Sequence, residues 1–97
     1  MKTFQEVVKE NMSTLEQYVP VVARVHGNDH PEFHEVKKLF DEMNRKLKDR
    51  QLEKVDLTDD FSQLRQVTNN YTVPAGTCES YEAVYNMLSK LDKAYSN

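Results

Sequence analysis

Three histidines, His26, His30 and His34, follow one another at intervals of four residues, and the single cysteine, Cys78, lies far downstream. Imidazole and thiolate are ligands for zinc, nickel or iron, and a thiol beside a base is a nucleophile. The spacing is weaker than it looks. Gly27 and Pro31 interrupt the backbone between the histidines, so only His30 and His34 are expected to share a helical face. Capping and packing are the preferred roles for all three, with an adventitious or dimer-bridging zinc or nickel site as the alternative. A second unusual feature is Arg50 with Lys54, which continue an otherwise apolar three-four alternation. No nucleophile, base and orienting group fall into a catalytic pattern, and no glycine-rich loop is present to hold phosphate. The expectation is a protein that is not an enzyme and has no resident cofactor.

These residues must be positioned by helices. Thr3-x-x-Glu6 has capping-box spacing and opens the first, whose apolar stripe is expected to run Phe4, Val8, Met12, Leu15, Val19, Val22, Val25. Pro20 should bend this helix without ending it, and Gly27 should stop it. The second is expected to begin with Asp29 or His30 as N-cap and Pro31 at the first helical position, with Glu32 and Glu35 complementing the positive helix end. Its seam is Phe33, Val36, Phe40, Met43 and Leu47, and the same register leads on to Arg50 and Lys54. Thr58-Asp59-Asp60 opens a shorter third helix with contacts at Phe61, Leu64, Val67 and Tyr71. After a turn over 72–77, Thr77 or Ser80 caps the fourth, which buries Tyr81, Val84, Tyr85, Leu88, Leu91 and Tyr95. Short connections favour antiparallel neighbours. The expected fold is all-α, an antiparallel up-down-up-down four-helix bundle, as a single domain over 1–97.

Composition narrows the function classes. The 97 residues carry 13 Lys and Arg against 16 Asp and Glu, without the basic stripe of a nucleic-acid binder. No run approaches the ~20 apolar residues of a membrane span, and Met1-Lys2-Thr3 leads straight into an amphipathic pattern without a secretory segment. One cysteine cannot form an internal disulfide. A cytoplasmic location is expected. The Lys37-Lys38 and Lys46-Lys48 pairs are expected on a solvated face.

Two motifs carry a resemblance. His26-Gly27-x-x-His30-Pro31 and Tyr71-Thr72-x-Pro74, the latter followed by Cys78-x-x-Tyr81-x-x-x-Tyr85, resemble the hemerythrin-like domain of the repair-of-iron-centres family. Members of that family are bacterial helical bundles with a non-haem di-iron site, linked to mending iron-sulfur clusters after nitrosative or oxidative stress. The resemblance covers Phe4 to Gln51 and Leu64 to Leu91, and the family's amino-terminal cysteine-pair module has no counterpart here. The matched residues are scaffold, so the resemblance implies structural roles for His26, Gly27, His30, Pro31, Tyr71, Pro74, Cys78, Tyr81 and Tyr85. It implies a packing role for the Cys78 sulfur in preference to a redox-sensitive one.

The same resemblance places the family's iron ligands where this chain has none. The first ligand histidine falls on Gln5, and the His-x-x-x-Glu pair of the second helix falls on Arg50 and Lys54. The third helix contains no histidine, and Asn97 stands about where the last pair would begin. A protonated guanidinium or ammonium repels a cation and cannot ligate it. Arg50 and Lys54 are expected to snorkel to the bundle end or pair with Asp56, Asp59 or Asp60, an anion site being the alternative. His26 lies 21 residues beyond Gln5, roughly 30 Å at the ~1.5 Å rise per residue, and so at the opposite bundle end. The expected function is therefore partner binding by a ligand-free relative; any apolar strip left near Leu91 and Tyr95 could be covered in a homodimer or could close an ordinary monomer core. The alternative is iron or other metal handling in cluster repair or stress response.

Overall fold

The computed structural model describes residues 3–49 and 55–96. Arg50 and Lys54, and with them most of the expected basic pocket, lie outside the described residues.

Helix α1 spans Phe4–His26. The Thr3 hydroxyl accepts the Glu6 N–H at 3.2 Å, so Thr3 caps the helix as expected, while the Glu6 carboxylate accepts from that hydroxyl at 3.4 Å in place of the backbone N–H of a full capping box. The helix passes through Pro20 unbroken and buries Val7, Val8, Met12, Leu15, Val19, Val22 and Ala23. Val25 does not join them. It is 60% exposed, because at about 100° per residue the inward stripe continues through Ala23 to His26 and turns Val25 outward.

Gly27 follows in a right-handed conformation, φ −60°, so its lack of a side chain serves space and not backbone freedom. A Cβ there would collide with the Ala23 carbonyl and the His34 imidazole.

Helix α2 spans Glu32–Asp49. Pro31 directly precedes it, and the carbonyls of His30 and Pro31 accept the N–H groups of Phe33 and His34 at 2.9 and 3.1 Å, which tightens the first turn. Phe33, Val36, Leu39, Phe40 and Met43 are buried, and Leu47 is half-buried against them.

Helix α3 spans Thr58–Thr68, with the Thr58 N–H held by the Asp56 carboxylate at 3.1 Å. Phe61 and Leu64 are buried and Val67 is half-buried. Tyr71 lies beyond the helix end, its N–H donating to the Thr68 hydroxyl at 2.8 Å. Asn69, Asn70 and Tyr71 have φ of 52°, 59° and 63°, a left-handed run that ends the helix and swings Tyr71 toward α4.

Helix α4 spans Glu79–Ser96. Neither expected residue caps it. The Thr77 hydroxyl donates backward to the Pro74 carbonyl at 2.9 Å and Ser80 lies inside the helix, whereas the Cys78 carbonyl accepts the Glu82 N–H at 3.2 Å. Cys78 is therefore the residue at the helix entrance.

Contacts between helix ends set the topology. Phe4 meets Tyr95 while His26 meets Tyr81, so α1 and α4 run antiparallel. Arg65 meets Asp92 while Phe61 meets Tyr95, which gives the same relation for α3 with α4, and Lys46 near the end of α2 meets Asp60 near the start of α3. The result is a four-helix bundle whose core is centred on fully buried Leu15, Phe33, Met43, Leu64, Tyr81 and Leu88. Leu91 is 1% exposed, and Tyr95 packs on Phe4 and Phe61. Of the two alternatives for Leu91 and Tyr95, closure of the core within the chain is the one observed. Among the described residues, no helix is long and apolar enough to cross a membrane.

Candidate functional site

The two ends of the bundle differ in chemistry. At the first, the closing residues of α1 meet the entrance of α4. His26, the last residue of α1, continues the buried stripe, which aims its ring inward over Tyr81 at a centroid distance of 5.6 Å and an interplanar angle of 88°. Its Nε2 lies 3.0 Å from the Cys78 Sγ. Cys78 is exposed, contrary to the packing role the resemblance implies, because it precedes the first turn of α4 and the apolar face of that helix begins only at Tyr81.

His30 also sets its ring against Tyr81, at 5.5 Å and 66°, but its Nδ1 turns to the Glu32 carboxylate at 3.2 Å. The His26 and His30 rings are 6.5 Å apart. His34 is exposed on α2 beside Gly27, on the face that also carries Lys37 and Lys38. Thus Tyr81 brings His26 and His30 together, and His34 stands apart. Among the described residues, no group of three or more His, Cys, Asp or Glu side chains is placed to hold a metal ion.

Beneath this end, Tyr81 and Tyr85 join their hydroxyls at 3.1 Å and stack with Phe33. Burial pushes both phenols above the ordinary tyrosine range.

The opposite end holds Gln5, half-buried in the first turn of α1. Its neighbour Phe4 packs edge-on against Phe61 and Tyr95, at 6.4 and 5.2 Å, and Phe61 and Tyr95 meet at 5.2 Å. The Tyr95 hydroxyl accepts the Leu57 N–H at 2.8 Å and donates to Asp56 at 3.4 Å. An aromatic plug with satisfied polar edges occupies this end.

Among the described residues two carboxylates are buried: Asp92, unassigned at the level of sequence, and Asp60, expected at the opening of the third helix and among the candidate partners of Arg50 and Lys54. Asp92, 5% exposed, accepts from Arg65 and from the Tyr71 hydroxyl and forms the floor of an open groove of about 620 Å³. Asp60, 3% exposed, accepts from Lys46 at 2.8 Å, so Lys46 is not simply part of a solvated face. The signal was present in both cases. Asp60 stands one turn before Leu64, and Asp92 one turn after Leu88, each on an apolar stripe where a charge demands a partner.

Compared with known families and known structures, the chain matches no family model and no solved structure.

Proposed function

We propose that the chain is a non-enzymatic helical-bundle protein of the iron-centre repair lineage, without that family's iron ligands, which acts in the cytoplasm by binding another protein. The donor set carries this reading. Gln5, the one described residue at a family ligand position, offers a neutral amide beside the plug of Phe4, Phe61 and Tyr95. Amide and aromatic groups are poor company for a di-iron centre, which is served by imidazole and carboxylate.

The partner-binding half of the reading is supported by one face of α1. Tyr18, Val21 and Val25 are 36%, 43% and 60% exposed, and their spacing aligns them along the side of the helix that faces away from the core.

Two measurements test the proposal. Protein made without a histidine tag in iron-supplemented cells should be folded, low in iron and free of the absorption bands of a bridged di-iron centre; a full di-iron complement would overturn the reading. In affinity capture, a specific protein should be retained by the native chain and lost with the folded double variant Val21→Glu, Val25→Glu. Identical retention by both would remove α1 as the binding face.

A further inference from the structure

Partner binding makes no use of the meeting of two reactive side chains, one from the end of α1 and one from the entrance of α4. The Cys78 sulfur and the His26 imidazole stand 52 residues apart in sequence and 3.0 Å apart in space. We infer that they form a thiol and base pair, and that Cys78 is a site of reversible mixed-disulfide formation with low-molecular-weight disulfides.

The pair is positioned around one buried side chain, Tyr81, which packs against the His26 ring and follows Cys78 in the chain. His26 ends α1 with its ring edge-on to Tyr81, and Tyr81, 0% exposed, lies one turn into α4 from Cys78. The imidazole is therefore positioned by packing, within hydrogen-bond reach of the proton it would accept. With its own proton on Nδ1, the ring presents Nε2 to the thiol. His30 does not compete, since its Nδ1 engages Glu32. The sulfur is exposed, so a small disulfide has access, and it sits at the entrance of an 18-residue helix whose positive end favours developing negative charge.

The exchange balances without another oxidant. As the Cys78 proton passes to Nε2 of His26, Sγ attacks one sulfur of the small disulfide RSSR. The Sγ–S bond forms while the S–S bond of the reagent breaks, and the departing RS⁻ takes the proton from the His26 imidazolium to leave as RSH. The protein thiol is oxidised and half of the reagent is reduced. Because the chain has one cysteine, no internal thiol can resolve the product, and the adduct persists until an outside thiol reverses the exchange.

The test follows the full chain reacting with glutathione disulfide at neutral pH, read by intact mass. The folded protein should react about tenfold faster than the same chain unfolded in urea, and His26→Gln with its helical spectrum intact should fall to the unfolded rate. A folded rate at or below the unfolded one overturns the inference, as does an undiminished rate in His26→Gln, which would assign the reactivity to the helix terminus alone. A measurement on the native sequence guards against a variant that does not fold. On adduct formation the His26 ring resonances should shift more than those of His34, and unchanged His26 resonances overturn the pairing.

Discussion

Arg65 and Asp92 clasp each other across the seam of α3 and α4, one guanidinium nitrogen lying 2.7 and 2.8 Å from the two carboxylate oxygens. The two partners are unequal: the Asp92 side chain is 7% exposed and that of Arg65 is 41%. Removing one is therefore not equivalent to removing the other. Arg65→Ala leaves a buried carboxylate with only the Tyr71 hydroxyl, a loss of about 1–3 kcal/mol after allowing for water reaching the vacated side. Asp92→Asn leaves a guanidinium that water can solvate and should cost less. Urea midpoints of the two variants check the order; an equal or reversed order would mean that the carboxylate is better hydrated than its burial indicates.

The tyrosines predict an alkaline limit to stability. Burial is the main cause that holds Tyr71, Tyr81 and Tyr85 above the ordinary value, and Tyr71 also donates to Asp92 at 2.7 Å, where a phenolate would face a carboxylate. With folded values raised, the unfolded chain releases these protons first. Their contribution is complete below the ordinary tyrosine value of about 10 and is lost as pH rises through the folded values. Glu16 and Asp56 act in the opposite sense. Hydrogen bonds from Asn44 to Glu16 and from the Thr58 N–H to Asp56 lower their values, so their small, exposed contributions are lost as pH falls. Denaturant midpoints against pH should be level near neutrality and drop steeply above about pH 10, with a shallower drop in Tyr81→Phe. A level alkaline arm in the native chain would contradict the burial of these rings.

Pro20 sits exposed inside α1 and supplies no backbone donor. Proline in a helix interior costs about 3 kcal/mol relative to alanine, through the missing backbone hydrogen bond and the clash of its ring with the preceding turn. Pro20→Ala should accordingly raise stability by about 1–2 kcal/mol in thermal or urea unfolding. Destabilisation would show that the backbone at this position suits proline better than alanine.

How much of this was legible depended on the range of the interaction. The Thr3-x-x-Glu6 box, Pro31 and the three-four stripes are local, and they located all four helices and the central core residues. Val25 was misassigned because a valine beyond Pro20 satisfies an apolar pattern whichever way the helix turns, and only packing shows that His26 takes the inward position. Cys78 was misassigned by a similar margin, three residues short of the first buried side chain of α4. Contacts between helices left weaker traces. Asp60 and Asp92 occupy positions on apolar stripes, a signal that went unused, and spacing could not name Lys46 or Arg65 as their partners. Nothing in the spacing joined His26 to Cys78.

Gly27 offers a test in which two physical effects predict opposite signs. Its backbone is right-handed and already suits any residue, so on conformational grounds Gly27→Ala should stabilise by about 0.4–1 kcal/mol through a less flexible unfolded chain. The packing predicts the reverse, since the new methyl would collide with both the Ala23 carbonyl and the His34 imidazole. The imidazole is the movable end of an exposed side chain, but the carbonyl belongs to α1 and accepts the Gly27 N–H at 3.0 Å, so it can retreat only by loosening that bond. Overpacking of this kind costs about 1–3 kcal/mol, which exceeds the entropic gain, and net destabilisation is expected. Adding His34→Ala should recover a minor part of the loss, because it removes one of the two obstacles. Urea unfolding of the single and double variants separates the terms: a stabilised Gly27→Ala would show that the close approach of α1 and α2 at this corner is not a real constraint, and full recovery in the double variant would place the obstacle in the imidazole and not in the backbone.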